Sequence, residues 1–332
     1  MEKFSNAIGI DVSKLTLDAH DYVKGVHIQV SNTVNGFKQL LRWSKKSNID
    51  LTTLLFCFEH TGLYSLPLAM FLSKLQVQYA MVSGLEIKYS MGLSRGKDDQ
   101  VDAQRIAEYA YLRRNKITIY RLPSKLLLEL KSLLSLRERM VIQRGGYKAA
   151  KKEMKSFLKV ATPSSALFQI QDRLIQELDK QIKNVEKQIQ TLLNQDEQLK
   201  KTYNLVTSVK GVGLVLGTTM LVYTNCFTAF KDWRKFATYC GIAPFGYDSG
   251  TSIKKPKKVH HLANKRIKAL LSNAASTSIQ FNPEMKIYYQ RRLKEGKQKM
   301  STQNIIRNKI VARVFAAVRR GTPYVDTLKY TA

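Results

Sequence analysis

Three carboxylates lie within five residues of a strongly basic chain, at Asp98, Asp99 and Asp102. The apolar residues that follow them recur at helical spacing, which predicts a helix from Gln100 to Arg114. Asp99 and Asp102 are three residues apart, so they share one face near a helix N-terminus, where negative charge is favoured. Two carboxylates on one face can bind a divalent metal ion, although acids in a first helical turn are also common as simple caps.

Two further acids follow predicted strands far away in the sequence. Asp11 ends the first of three consecutive short strands, and Glu59 follows an apolar fourth strand. Strands are predicted at 6–13, 15–22, 26–32, 54–58 and 77–82, with helices at 37–43 and 66–75 between them. With the helix of the paired acids, the order is βββαβαβα. This is the order of an α/β ribonuclease-H-like (RuvC-like) domain.

That topology would bring four acids to one edge of the sheet: Asp11, Glu59, Asp99 and Asp102. Oxygen ligands favour Mg²⁺ or Mn²⁺ over zinc, and two such ions about 4 Å apart can promote phosphodiester cleavage. Asp98 is an alternative ligand, although it is out of phase with Asp102. His60 could serve as a base, but strand alternation turns it to the opposite face and favours a structural role.

The charge of the chain indicates a polyanionic partner. Its 332 residues hold 55 Lys and Arg against 25 Asp and Glu, a formal net charge of +30. Residues 201–332 alone hold 24 cations against 5 acids. Nucleic acid is the expected partner, and attachment to a membrane surface by a basic helix is the weaker interpretation.

Cysteine usage and hydropathy set the expected compartment. Cys57, Cys226 and Cys240 are too few and too scattered for a disulfide framework or a zinc site. The N-terminus lacks a signal-peptide pattern, and no apolar run approaches the roughly 20 residues that span a bilayer. We therefore expect a cytoplasmic protein in a reducing compartment.

The middle of the chain is predicted to be helical. A leucine-rich helix begins near Leu126 and continues through a basic stretch to Lys159, with Gly145-Gly146 as an interruption and Thr162–Ser165 as a break. Apolar residues then alternate in steps of three and four, with Asp196 as one polar member: Ile175, Leu178, Ile182, Val185, Ile189, Leu192 and Leu199. An antiparallel hairpin within one chain or a helix pair between two chains would satisfy this pattern.

The C-terminal region offers a turn and a serine-containing loop. Gly211-Val212-Gly213 is similar to the turn of a helix-hairpin-helix unit, whose backbone N–H groups contact DNA phosphates without reading sequence. Ser249-Gly250 lies in a loop followed by four cations, Lys254, Lys255, Lys257 and Lys258. Taken alone, Ser249 is expected to be a turn residue, but those cations could also hold a phosphate beside its hydroxyl. Helices are predicted at 261–272 and 305–320.

Taken together, these motifs resemble the DEDD transposases of bacterial insertion sequences, a family that includes the Piv-type DNA invertases. The matching segments follow the family's order along essentially the whole chain: Gly9–Lys14, Glu59–Gly62, Lys97–Ala103, Gly211–Gly213, Tyr239–Pro244, Ser249-Gly250 and Asn264–Lys268. Two positions depart from the family pattern. Asp98 stands where a small polar residue is usual, and Ala263 stands where glycine is frequent.

The resemblance implies a RuvC-like domain whose metal-binding tetrad is Asp11, Glu59, Asp99 and Asp102. It further implies that Ser249 attacks a DNA phosphate to give a covalent phosphoserine, with Thr251 and Ser252 as nearby alternatives. The implied partners are donor and target DNA, a structured bridge RNA that pairs with both, and further copies of the chain. In the implied tetramer, assembled from dimers in the bacterial cytoplasm near the nucleoid, the metal site of one protomer meets the serine of another.

The same resemblance implies three domains and a set of nucleic-acid contacts. The domains are a RuvC-like domain at 1–122, a coiled-coil region at 123–200 and a mainly α transposase domain at 201–332. The expected contacts are Gly211, Gly213, Lys254, Lys255, Lys257, Lys258, Lys265 and Arg266. Two alternatives remain at this stage. One is a metal-dependent nuclease of the Holliday-junction-resolvase type, and the other is a nucleic-acid-binding protein without catalysis.

Overall fold

The computed structural model describes residues 4–45, 51–90, 98–157, 165–230, 232–249, 253–259 and 263–326, with the backbone alone at 165, 247–249 and 253–258. The chain divides into two compact units, Met1–Leu122 and Pro123–Ala332. Within the described ranges, every helix is too short or too polar to cross a bilayer. Residues on both sides of position 200 belong to the second unit and share one hydrophobic core. The domain boundary predicted at residue 200 stays a prediction.

The first unit is a five-stranded mixed sheet with helices on its faces. Its strands are β1 (Asn6–Val12), β2 (Thr16–Asp21), β3 (Val26–Ser31), β4 (Leu54–Glu59) and β5 (Tyr79–Val82). Its helices are α1 (Val34–Lys45), α2 (Leu66–Lys74), α3 (Gly84–Ser90) and α4 (Asp99–Leu112). The strand order is β3-β2-β1-β4-β5, with β1 antiparallel to β2 and parallel to β4. The predicted α/β order is confirmed, with α3 as an additional short helix.

Alternation along β1 and β4 divides this unit into two cores. Ile8, Ile10, Phe56 and Phe58 lie in the core that contains α1 and α2, whereas Ala7, Leu55 and Cys57 lie in the core that contains α4. Because side chains alternate between the faces of a strand, the residues that follow in phase with Ala7 and Cys57 also face α4.

The second unit is mainly helical, and its described residues include a β-hairpin. Its helices are α5 (Lys125–Phe157), α6 (Ser165–Asn194), α7 (Glu197–Thr207), α8 (Leu214–Thr224), α9 (Trp233–Tyr239), α10 (Lys265–Phe281), α11 (Pro283–Lys294) and α12 (Lys299–Arg320). Its strands are β6 (Pro244–Ser249) and β7 (Ile253–Val259). The mostly helical character predicted for this part of the chain is confirmed.

Helices α5 and α6 form an antiparallel hairpin within one chain. Ion pairs at regular spacing join them: Arg137 to Glu186, Arg144 to Asp179 and Lys151 to Asp172, with Lys148 as a second partner of Asp179. Each step of seven residues forward along α5 is matched by a step of seven backward along α6. This is heptad packing, and it buries Val185, Ile189 and Leu193 of α6 against Leu127, Leu130 and Leu134 of α5.

Two details of the helical region differ from the prediction. Helix α5 continues through Gly145 and Gly146, because two glycines weaken a helix by about 1 kcal/mol each and the paired helix offsets that loss. The apolar seam ends with α6 at Asn194. Asp196 is the N-cap of α7, since its carboxylate accepts a hydrogen bond from the Leu199 N–H at 2.7 Å.

The C-terminal elements also differ from the prediction in extent. The predicted serine loop is part of the β6–β7 hairpin, whose register pairs Pro244 with Val259. Helix α10 extends to Phe281, well beyond the expected end at residue 272, and α12 begins at Lys299 rather than at 305. Helix α11 was not predicted. Its N-terminus is set by Asn282, which accepts a hydrogen bond from the Met285 N–H, and by Pro283 in the first turn.

Candidate acidic site and nucleic-acid contacts

Parallel pairing of β1 and β4 positions the first two acids. The register pairs Ile10 with Phe58, so Asp11 and Glu59 follow at the same end of adjacent strands. Both are in phase with the residues that face α4. His60 lies one residue beyond β4 and is exposed, and its Nδ1 accepts a hydrogen bond from the Gly62 N–H at 3.3 Å.

Close packing of α4 against β1 positions the other two acids. A Cβ atom at Gly9 would lie 2.1 Å from the Ala107 backbone N and 2.3 Å from the Ala103 carbonyl oxygen. Only glycine therefore permits this approach of helix and strand. The approach places the first turn of α4, with Asp99 and Asp102, towards the end of β1 that carries Asp11.

Asp98 has a structural use that the other acids lack. It is the N-cap of α4, and its carboxylate accepts a hydrogen bond from the Gln100 N–H at 3.0 Å. A Ser, Thr, Asn or Asp side chain commonly satisfies the free N–H groups of a first helical turn in this way. The choice of metal ligands among the three acids stays a prediction.

The pKa of Asp11 links the four acids. This pKa is raised from 3.8 to about 6, first by burial of the carboxyl group and then by the negative charges of Asp99, Asp102 and Glu59, while a hydrogen bond to the Val12 backbone lowers it. Burial and like charge both disfavour the ionised form. We call Asp11, Glu59, Asp99 and Asp102 the acidic edge.

The charges of these four acids affect one another, but their side chains are not arranged as a closed set of metal ligands. Within the described part of the chain, no three Asp, Glu, His or Cys side chains stand at metal-ligand spacing. Glu59 lies against the start of α3, where a Cβ at Gly84 would be 2.2 Å from its Oε1. Asp102 pairs with Arg105 at 3.1 Å. The donor set nevertheless fits a hard divalent cation, since all four side chains offer oxygen and their mutual repulsion would be relieved by positive charge.

The structure adds two neighbours that the sequence did not single out. Asp18 is paired with Asp11 across β1 and β2, and it is buried with only 4% of its surface exposed. Its Oδ1 lies 3.2 Å from His27 Nε2 and accepts a hydrogen bond from Gln29 Nε2 at 3.1 Å. Arg105 is the second neighbour. Its spacing of three residues from Asp102 could have identified it, whereas Asp18 required the strand register.

The turn between α7 and α8 has the helix-turn-helix order of the predicted unit. Gly211 has φ of +93°, and a Cβ there would lie 2.3 Å from Ser278 Oγ, so this glycine packs against α10. Gly213 is the N-cap of α8, and a Cβ there would meet no atom within 4 Å. Lys210 between the helices pairs with Asp326 at 3.0 Å. Gly213 is thus the more open of the two glycines.

The serine and lysines of the β6–β7 hairpin are located by backbone register. Ser249 is the last residue of β6 and pairs with Ile253, while Asp248 pairs with Lys254 and Tyr247 with Lys255. Phe245 pairs with Lys258, and Lys257 lies between these pairs on β7. Thr251 and Ser252 lie outside the described residues. The hairpin therefore carries Ser249 at its tip and four lysines along the returning strand.

The two cations at the start of α10 differ in their surroundings. Arg266 pairs with Glu138 at 3.0 Å and donates a hydrogen bond to the Leu134 carbonyl oxygen, which ties α10 to α5. Lys265 is exposed. The contacts of Arg266 give it a structural use, and Lys265 is the more accessible of the pair for a nucleic acid.

Comparison with known proteins gives matches along most of the chain. A family model described as a transposase matches residues 8–163, and one described as the transposase IS116/IS110/IS902 family matches residues 203–290. The chain is 25% identical over 328 residues to a pilin gene-inverting protein of Moraxella bovis, covering 96% of this chain and 97% of that protein. The same values apply to the pilin gene-inverting protein of Moraxella lacunata.

A third relative matches only the N-terminal part. The chain is 30% identical over 122 residues to an uncharacterized 43.6 kDa protein of insertion element IS110 from Streptomyces coelicolor, covering 36% of this chain and 29% of that protein. The two family matches lie in the order expected for one such protein, with the acidic edge in the first and the α7–α8 turn and Ser249 in the second. The chain belongs to the IS110 family of transposases, and it is a DNA recombinase that acts on phosphodiester bonds.

Proposed function

We propose that the chain exchanges DNA strands with a divalent-metal site at the acidic edge and a serine nucleophile on the β6–β7 hairpin. Asp11, Glu59, Asp99 and Asp102 would hold one or two Mg²⁺ or Mn²⁺ ions in a ribonuclease-H-like domain. The observation that carries this proposal is the convergence of β1, β4 and α4, through the parallel register of the two strands and the close packing of α4 on Gly9. The raised pKa of Asp11, which results from burial and from the charges of the three other acids, supports it. Bound there, divalent cations would polarise a phosphodiester and stabilise its leaving oxygen.

Ser249 supplies the nucleophile in this proposal. Its hydroxyl oxygen forms a bond to phosphorus while the bond from phosphorus to a deoxyribose oxygen breaks, and the proton released by the serine ends on that leaving oxygen. The hydroxyl of another strand then attacks the phosphoserine and releases the serine. One phosphoester bond is broken and one is formed at each step, so rejoining needs no external energy source.

Strand exchange of this kind can give different products from the same chemistry. Two sites in opposite orientation on one DNA molecule give inversion, and sites on separate molecules give insertion. The full-length relatives are named as gene-inverting proteins. We propose that a bridge RNA pairs with donor and target DNA and specifies these sites. The protein would contribute charge and backbone contacts within a tetramer, in which the acidic edge and Ser249 come from different protomers.

The experiment begins with the RNA that copurifies with the full-length protein. This RNA is sequenced, and DNA duplexes are designed to match the unpaired segments of the RNA. These duplexes serve as substrates in the presence of Mg²⁺. We expect strand exchange and a DNA–protein linkage that resists denaturation. Absence of a discrete structured RNA would contradict the guided mechanism.

Single substitutions then assign the residues. Ser249→Ala should abolish the linkage and the exchange, whereas the matched variants Thr251→Ala and Ser252→Ala should retain both. Asp102→Asn should reduce exchange by about 1,000-fold, the effect of losing several kcal/mol of transition-state stabilisation. Asp98→Ser keeps a helix cap without a charge and should retain activity. Metal-dependent cleavage by Ser249→Ala without a linkage would instead indicate a resolvase-like nuclease.

A further inference from the structure

Four lysines line a groove of the α5–α6 hairpin near the C-terminal end of α5. Lys148, Lys151, Lys152 and Lys155 lie at positions i, i+3, i+4 and i+7 of α5, and therefore on one helical face. Asp172 and Ile175 of α6 complete the lining. We call this surface the lysine groove.

The groove carries more positive charge than the hairpin neutralises. Lys151 pairs with Asp172, and Lys148 lies 3.7 Å from Asp179, which also pairs with Arg144. Lys152 is exposed and is not among the ion pairs of the described residues. Lys155 lies 5.7 Å from the Phe168 ring centroid. Lys152 and Lys155 thus bring charge that the heptad ion pairs do not use.

The shape and chemistry of the groove favour a phosphodiester backbone. Lysine ammonium groups bind phosphates as point charges on flexible stems, and they do so without reading bases. The four lysines span seven residue steps, or about 10 Å along a helix. This length corresponds to about three base pairs along the axis of B-DNA. The apolar floor at Ile175, which is 8% exposed, offers no group to read a base edge.

We infer that the lysine groove binds the sugar–phosphate backbone of double-stranded DNA, independently of sequence. DNA is the substrate of the family to which the chain belongs, and the groove lies in a helical element outside both the acidic edge and the β6–β7 hairpin. The groove would hold the duplex while other parts of the protein perform strand exchange. The inference does not depend on the metal site, on Ser249 or on a guide RNA.

The test measures how the affinity of the full-length, RNA-free protein for a mixed-sequence 30-base-pair duplex depends on salt. Fluorescence anisotropy is recorded with chelator present, between about 50 and 200 mM NaCl, so that catalysis plays no part. Each phosphate contact contributes about −0.9 to the slope of log affinity against log salt concentration. Lys152→Gln/Lys155→Gln should therefore reduce the slope by about 2. When salt rises from about 50 to 200 mM, the factor by which the DNA affinity falls should be about 10 times smaller for this variant than for the unmodified protein.

Two matched variants separate the groove from general charge. Lys180→Gln/Lys187→Gln removes the same charge from exposed positions of α6 outside the groove and should keep the original slope. Lys152→Arg/Lys155→Arg keeps the charge and should also keep it. Circular dichroism and thermal unfolding check that each variant retains its helices.

Three results would overturn the inference. The first is an unchanged slope for Lys152→Gln/Lys155→Gln, and the second is an equal loss in Lys180→Gln/Lys187→Gln. The third is a loss of affinity confined to a structured RNA of the same length, which would make RNA the occupant of the groove. Failure of strand exchange in the earlier experiments would leave this binding result unaffected.

Discussion

The acidic edge and the helical hairpin organise charge in opposite ways. At the edge, four like charges from distant parts of the sequence act on one another, and burial raises the cost of ionising Asp11. Along the hairpin, opposite charges pair at heptad spacing, and the hydrogen bond from Arg144 lowers the pKa of Asp179. Paired charges stabilise an element, whereas crowded like charges oppose folding. Crowding of this kind is therefore the stronger indication of a ligand site.

The largest effect on stability is expected at the contact between β1 and α4. Gly9→Ala places a Cβ where the backbone of Ala103 and Ala107 lies, so α4 must move away from the strand. We expect a loss of about 1–3 kcal/mol in the free energy of unfolding and about 100-fold in strand exchange, because Asp99 and Asp102 shift relative to Asp11. Urea unfolding and an exchange assay measure the two effects. Unchanged strand exchange would show that catalysis does not depend on the position of α4.

The next effect is the pH dependence of stability in metal-free protein. The pKa of Asp11 in the folded state, about 6, lies above its ordinary value of 3.8. Protonation therefore stabilises the fold most below about pH 4, and this contribution is lost as the pH rises to 6. Allowing for solvent screening, the loss is about 1–2 kcal/mol. Urea unfolding between pH 4 and 8 with chelator would show it.

Asp11→Asn supplies the control for this pH dependence. The variant should lack the loss between pH 4 and 6 and be the more stable protein at pH 7.5. Mg²⁺ should raise the melting temperature of the unmodified protein but not that of the variant, because binding to the folded state stabilises it. The same pH profile in both proteins would contradict the electrostatic account of the acidic edge.

A smaller effect of opposite sign is expected in the hairpin. A Cβ at Gly146 would meet no atom within 4 Å, in contrast to Gly9. Gly146→Ala should therefore raise the free energy of unfolding by about 1 kcal/mol through helix propensity alone. Chemical denaturation checks the sign. Destabilisation would mean that α5 needs a glycine at this point.

The smallest effect is expected for one member of the ion-pair series. Arg137 donates a hydrogen bond to Glu186 at 2.7 Å, and both side chains are partly exposed. Glu186→Gln should cost about 0.5 kcal/mol, and high salt should reduce the difference. Glu177→Gln is the control, since Glu177 accepts a hydrogen bond from Gln181 of its own helix. Equal effects of the two changes would argue against a specific contribution of the ion pair.

Several elements could be located from the sequence because their signals are local. The strands of the first unit follow from alternation and turn residues, and the predicted bounds differ from the observed ones by one or two residues. Helix α3 was missed because seven residues give too little periodicity. The β6–β7 hairpin was interpreted as a loop because glycine, proline and serine interrupt its alternation.

The sequence by itself determined the charge and the order of the elements, and it predicted the two proposed chemical centres. Residue types and spacing are enough to single out Asp99 with Asp102, and the heptad pattern is enough to predict a helix pair. Tertiary structure decided which acids act on one another, because β1, β4 and α4 meet only through parallel pairing and the close approach at Gly9. It also decided that Asp98 is a cap, that Arg266 ties two helices together and that Lys152 and Lys155 share a groove. These outcomes depend on contacts between residues far apart in the chain, which local patterns do not encode.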